Sequence, residues 1–194
     1  MGKYLSTMVM VILYSIIMMA LPTVKSVAED PEAVEAWFDN LKYKKEKTTK
    51  LHFYFHDTIT GQNITATKVA QATFTDKSPS RFGEVYVMND PLTVGPDINS
   101  EQLGRAQGIF VSSDFDEVSF LMTLNYVFTS GPYNGSTLSI LGRNPIFHTY
   151  REMSIVGGSG IFRLARGIAT AKTYWVNATA FNAIVEYHVV VLHY

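Results

Sequence analysis

From Leu51 onward the chain is a succession of short apolar runs, rich in β-branched and aromatic residues and separated by Gly, Pro, Asn and Asp. Runs of this kind are strands, and the separators are their turns. The pattern predicts strands near 51–58, 65–74, 82–90, 103–112, 117–129, 136–142, 150–156, 161–174 and 183–193, one of them only a short extension. No long helical period and no repeat of fixed length interrupts them. Upstream, Glu29–Lys50 is polar and charged, with one or two helical turns expected around Ala33–Leu41 and a solvated basic run at Lys42–Lys50.

The most distinctive reversal lies in Arg151–Thr173. Met153, Ile155 and Val156 lead into Gly157-Gly158-Ser159-Gly160, where the chain is expected to turn, and Ile161–Thr173 carries it back with Arg163 and Arg166 in the returning run. Glycine reaches positive φ without a Cβ penalty, which suits a hairpin. A phosphate cradle would need a further glycine opening a helix, and a strand-like run follows instead.

The strand count and the reversals favour an all-β, antiparallel barrel or sandwich. Phe120–Phe128 and Val185–Tyr194 look apolar on both faces. A closed barrel covers only its inner face, so the outer one is expected to be buried against another subunit.

The N-terminus stands apart from that core. Lys3 precedes an uncharged run, Met8–Leu21, and small residues follow at Ser26 and Ala28. The run is shorter than the roughly 20 apolar residues that span a bilayer, so residues 1–26 are expected to be a secretory signal, cleaved after Ser26 or Ala28. Residues 27–50 then form a polar lead-in and 51–194 the β domain. Loss of Lys3 and Lys25 leaves 14 basic against 17 acidic side chains, a net charge of −3. That balance offers no electrostatic case for nucleic acid or an anionic membrane. The chain has no cysteine, so its stability rests on packing or assembly rather than disulfides. Sequons at Asn63, Asn134 and Asn177 are expected glycosylation sites in a secreted chain.

Candidate chemistry concentrates in Leu51–Asp57 (LHFYFHD). Alternation puts Leu51, Phe53, Phe55 and Asp57 on one face, with His52, Tyr54 and His56 on the other. If the first face lines an interior, Asp57 is a desolvated carboxyl with a raised pKa, suited to general-acid work; alternatively it caps the turn that follows. Tyr86, Met88 and Asp90 share a face by the same parity, a second acid beside a phenol at a strand end stopped by Pro91. Histidines four apart diverge on a strand, and His148, His188 and His193 show no ligand spacing, so no metal site is expected. No nucleophile elbow and no cysteine nucleophile is present.

FYFHDT at 53–58, NDPLT at 89–93, GRAQGIF at 104–110, NYVFTSGPYNGSTLSILGRNPI at 125–146, REMSIVGGSGIFRLARG at 151–167 and the terminal VVVLHY together resemble the plant dirigent family, in one order from about Leu51 to Tyr194. The resemblance implies an eight-stranded antiparallel β-barrel similar to allene oxide cyclase, assembled as a homotrimer and secreted to the apoplast. It implies no cofactor. Its ligand would be a plant phenolic, with an external oxidase, a laccase or peroxidase, supplying radicals whose coupling the barrel orients. The pterocarpan synthases of the family instead dehydrate isoflavanols through a quinone methide, and a wall-structural or carbohydrate-binding barrel is a third reading. By motif, Asp57 and Arg151 would be the catalytic residues, with Asp57 expected to point into the lumen near Arg151 and Phe53, Phe55, Tyr86, Asp90, Phe110 and Asn144 around the substrate. Phe110 and Asn144 stand where lignan-forming relatives tend to carry tyrosine and aspartate, a departure that points toward the pterocarpan type.

Overall fold

The structure is a computed structural model that describes residues 30–194. The apolar segment Met8–Leu21 and the expected cleavage sites lie outside the described residues. The first element is a helix, α1 (Pro31–Asp39). Asp30 caps it by accepting the Ala33 N–H at 2.8 Å, and Pro31 takes a first-turn position where no N–H is needed. The expected helical turns around Ala33–Leu41 therefore begin two residues earlier.

Nine strands follow. They are β1 (Lys47–Asp57), β2 (Ala66–Ala70), β3 (Val85–Thr93), β4 (Gln102–Ser112) and β5 (Ser119–Phe128). The second half comprises β6 (Thr137–Pro145), β7 (Arg151–Ser159), β8 (Arg166–Asn177) and β9 (Asn182–His193). The first strand begins ahead of the expected Leu51, because Lys47–Lys50 pair in register with His193–Val190. The basic run is thus partly ladder and only partly lead-in.

From β3 to β9 each strand pairs antiparallel with the next, and β1 lies along the whole of β9. A short ladder, Tyr54↔Thr93 and Phe55↔Leu92, joins β1 to β3 and closes an eight-stranded barrel. The remaining strand, β2, is the short extension: it pairs with the first half of β3, beyond the point where β1 ends.

Side chains alternate in and out along every strand of the ring. Lumen positions are Phe53 and Phe55 on β1, Met88 on β3, Phe110 on β4, Met122, Leu124 and Tyr126 on β5, and their counterparts round to Tyr187, Val189 and Val191 on β9, all buried. Midway along the barrel Phe53, Tyr126 and Tyr187 pack together, with Phe53 edge-on to Tyr126 at 5.0 Å between ring centroids and stacked on Tyr187 at 5.8 Å. One end is sealed by Phe128, Tyr133 and Phe162, whose ring centroids lie 5.1–5.8 Å apart, and by His193, whose ring meets Phe162 edge-on at 5.2 Å. At the other end the lumen residues Asp57, Tyr86, Phe120, Thr173 and Val185 are only partly buried. The barrel is therefore a cup with its mouth at the C-terminal ends of β1, β4, β6 and β8.

The glycine cluster acts differently from expectation. Gly157, Gly158 and Ser159 continue β7 and pair with Ser139, Leu138 and Thr137 across a register shift. The chain turns only at Gly160, φ 63°, and over the following Ile161–Ala165, so Arg163 sits in the turn and only Arg166 opens the returning strand. What Gly158 provides is closeness: a Cβ there would meet the Thr137 carbonyl oxygen at 2.5 Å and the Phe162 carbonyl oxygen at 2.7 Å. Gly157 has nothing within 4 Å of such a Cβ. Thermal unfolding should separate the two: Gly158→Ala destabilises by about 1–3 kcal/mol through overpacking at the sealed end, while Gly157→Ala is neutral or slightly stabilising. Equal effects would contradict this packing.

Candidate active site

Continuing the β1–β3 register past Phe55↔Leu92 brings Asp57 opposite Asp90, at the place where β1 leaves β3 and β2 takes over. Both side chains face the lumen. Asp90 is 0% exposed, and neither of its carboxylate oxygens has a partner in bonding geometry, because the nearby Thr65 hydroxyl donates to the His56 carbonyl at 3.3 Å; Asp57 Oδ1 is likewise buried and unpartnered. Burial drives the Asp57 carboxyl well above the ordinary carboxylate range, and the neighbouring Asp90 charge adds to the effect. Burial also raises Asp90, to about 7, although the Thr65 hydroxyl and the Arg105 guanidinium pull against it. Two like groups in one dry seam cannot both ionise cheaply, so the pair retains a proton near neutral pH.

The seam is clasped from outside. His56, on the outward face of β1, is nevertheless buried, and its Nε2 meets Thr93 Oγ1 at 2.7 Å. Thr93 gives its one hydroxyl proton to the Gly95 carbonyl, so His56 Nε2 is the donor in this bond. Asp57 also borders a cleft of about 530 Å³ between the β1–β2 loop and the tip of the β8–β9 hairpin, lined by His56, Thr65, Pro91, Arg105 and Trp175 among others.

Arg151 enters the lumen from β7, on the opposite side of the ring from β3. It is 3% exposed and held by neutral partners: Nε donates to Asn144 Oδ1 at 3.1 Å, and one terminal nitrogen donates to Thr173 Oγ1 at 2.8 Å and to the His148 carbonyl at 3.4 Å. Among the described residues no carboxylate lies within ion-pairing distance of it. Burial lowers its pKa, with the Tyr187 phenol opposing. An aspartate at position 144 would neutralise this guanidinium; the asparagine leaves its charge directed at the cavity.

Tyr187 links the two sides. Burial pushes its phenol up to about 12, Arg151 pulls it down, and Asp90 and Asp57 both push it up. The neighbouring Tyr126 phenol is also raised, first by burial, and its hydroxyl has no partner in bonding geometry. On the third side Tyr86 and Phe110 stack at 4.6 Å with a 5° interplanar angle, and Phe120 packs against Phe110 at 5.0 Å. The Tyr86 phenol is raised chiefly by burial, with Glu84 next. Loops around the mouth expose Phe74, Phe115, Phe147, Tyr150 and Phe181.

All eight expected pocket residues thus share one lumen: Asp57 and Asp90 at the seam, Phe53 and Phe55 beneath them, Tyr86 and Phe110 on one wall, Arg151 and Asn144 on another. The immediate neighbour of Asp57 is Asp90, rather than Arg151 as expected. Tyr126, Tyr187, Thr173 and Phe120 are additions; inward parity on their strands is the signal that marks them. Asn63, Asn134 and Asn177 all lie exposed on loops or at a strand end.

The sequence model of the family described as "Dirigent-like protein" matches residues 48–192. The chain belongs to the dirigent family. It is 50% identical over 151 residues to Dirigent protein 1 of Arabidopsis thaliana, spanning 78% of this chain and 82% of that one. It is 49% identical over 155 residues to Pterocarpan synthase 1 of Glycyrrhiza echinata, covering 79% and 82% respectively. Among solved structures, one pterocarpan synthase dirigent protein superposes with a TM-score of 0.71 at 50% identity, over 77% of this chain and 89% of its own. A second gives 0.70 at 45%, over 78% and 98%.

The carboxyl pair in this dirigent barrel makes stability depend on pH. Unfolded, Asp90 titrates near its ordinary 3.8; folded, near about 7. Between those values the folded state binds the proton more tightly, so this stabilisation is complete below the unfolded value and is lost as pH rises toward the folded one. Asp90→Asn should therefore raise the melting temperature at pH 8 much more than at pH 5, measured by scanning calorimetry. A gain independent of pH would show that the carboxyl is not held protonated.

Proposed function

We propose that this chain is a dirigent protein of the pterocarpan-synthase kind, which takes a plant phenolic alcohol into the cup and removes water from it stereoselectively through a quinone methide. The observation that carries this reading is the seam carboxyl pair, which keeps a proton near neutral pH, set across the lumen from an arginine with no counter-charge. A carboxyl gives that proton to the departing hydroxyl, which leaves as water. The substrate's conjugated phenol releases its own proton to solvent at the mouth as the quinone methide forms, and Arg151 stabilises the negative charge gathering on that oxygen. A second phenolic hydroxyl of the same molecule then adds to the methide carbon and gives its proton to the seam carboxylate, while the quinone-methide oxygen takes a proton back from solvent and is a phenol again. Ring stacking on Tyr86–Phe110 and Phe120 fixes which face is presented. The similarity to pterocarpan synthases in sequence and in fold supports the same reading.

Orientation of phenoxy radicals supplied by a laccase or peroxidase is the second reading. The aromatic lumen favours it, since a few kcal/mol between encounter geometries accounts for roughly hundredfold selectivity without any acid. Incubation with an isoflavanol and no oxidase separates the two: cyclised product is expected, and product only with coniferyl alcohol plus oxidase would establish coupling instead. Asp57→Asn should lower the dehydration rate by about a hundredfold or more with the fold intact. Arg151→Lys should also be harmful, since lysine keeps the charge but not the planar fork that holds Asn144 and Thr173. An unchanged rate in Asp57→Asn would remove it from the mechanism.

Secretion to the apoplast and glycosylation belong to the same proposal, supported by the Met8–Leu21 run and by three exposed sequon asparagines. So does a homotrimer. On the outer wall Val87, Ile109, Leu121 and Leu141 lie close together across β3–β6, each 37–44% exposed. The outer face of β9, by contrast, is mixed: Glu186 and His188 precede Val190 and Leu192 along it. The β3–β6 face is the one suited to burial between copies. Light scattering on deglycosylated mature protein should report three chains, and Leu121→Glu should give monomers; a wild-type monomer at micromolar concentration would overturn this.

A further inference from the structure

The histidines appear unrelated along the chain, but barrel closure brings two of them together. β1 and β9 pair so that His52 is directly opposite His188, and Glu186 is one outward position away on β9. His52 Nε2 lies 2.8 Å from Glu186 Oε1, and His188 Nε2 lies 3.4 Å from the same oxygen. The three ligand atoms all fall within 4.8 Å of one another. The two imidazole rings are 4.5 Å apart at 31°. Ligands about 2.0–2.1 Å from a tetrahedral zinc ion sit about 3.4 Å apart, so the cluster needs only a small opening at the His52–Glu186 hydrogen bond to admit one.

We propose that His52, His188 and Glu186 form a binding site for one divalent first-row cation that prefers imidazole, Zn²⁺ or Cu²⁺, on the outer wall of the barrel. The donor set, two imidazoles and one carboxylate, is suited to these ions and leaves a coordination position open to solvent. Neighbours hold the ligands in place. The Tyr54 ring packs edge-on to His52 at 5.3 Å, and its hydroxyl donates to Glu186 Oε1 at 3.4 Å. Lys172, opposite Glu186 on β8, is the nearby cation, and it lies on the side of Glu186 away from β1. The site is remote from the lumen, because His52, Glu186 and His188 point outward on their strands. It lies on the β1–β9 wall, outside the β3–β6 face, so it takes part in neither the proposed reaction nor the proposed assembly.

Untagged mature protein, stripped with chelator and titrated with Zn²⁺ by calorimetry, should bind one equivalent per chain. With one equivalent of Cu²⁺, electron paramagnetic resonance should show coupling to two imidazole nitrogens. His188→Ala should weaken Zn²⁺ binding by about tenfold or more, the least expected for losing a metal ligand. His148→Ala, whose histidine pairs with Glu117 elsewhere, should leave binding unchanged. Because all the altered side chains are at least partly exposed, melting temperatures in chelator should match the wild type and certify the fold. Wild-type affinity no higher than that of the His52→Ala/His188→Ala double variant, or an unchanged copper spectrum in that variant, would overturn the site and leave a hydrogen-bonded His–Glu–His cluster.

Discussion

The ladder that closes the barrel is short, and the rest of the structure depends on it. Tyr54↔Thr93 and Phe55↔Leu92 are the only paired positions between β1 and β3. Without them the sheet would be open, with two unpaired edges. The His56–Thr93 hydrogen bond reinforces the ladder from outside, in a site dry enough that burial lowers the histidine pKa. Where the ladder stops, the register leaves two carboxyl groups facing each other with no cation between them. Closure and the candidate acid are therefore products of the same seam. A longer β1–β3 ladder would leave no place for β2 to enter, and the carboxyls would lie within regular pairing.

The interior is divided along the barrel axis. Phe162 and its neighbours fill one end, Phe53, Tyr126 and Tyr187 fill the middle, and the polar groups collect at the mouth. A flat aromatic molecule is the ligand proposed for a cup of this shape, whose rings line the way to the seam. The charges are arranged across it rather than paired: acids on the β1–β3 side, Arg151 on β7, and Tyr187 within the field of both. Replacing Asn144 by aspartate would quench the arginine and turn this arrangement into an ordinary buried ion pair. The asparagine keeps Arg151 fixed by a hydrogen bond and leaves its charge without a counter-ion.

Much of this was legible along the chain, and the failures have physical causes. Alternation alone placed Phe53, Phe55 and Asp57 on one face, and Tyr86 with Asp90, because period two is a local property of a strand. Family likeness drew Arg151 and Asn144 into one pocket, and adjacency of β6 and β7 explains their contact. Partners across the closure were not legible. Asp57 meets Asp90, and His52 meets His188, only through registers between strands far apart in sequence, which no spacing rule encodes. The glycine cluster misled for another reason: Gly157-Gly158 has the composition of a turn, yet Gly158 is required by the approach of β6 and Phe162, and Gly160 makes the turn.

Whether the β1–β3 seam holds a carboxyl proton at neutral pH can be read by titrating the side-chain carboxyl carbons of Asp57 and Asp90 by nuclear magnetic resonance, in ligand-free mature protein. Asp90 should show a midpoint of about 7 and Asp57 one well above 3.8, each altered when the other is changed to asparagine. Two independent midpoints near 3.8 would contradict it.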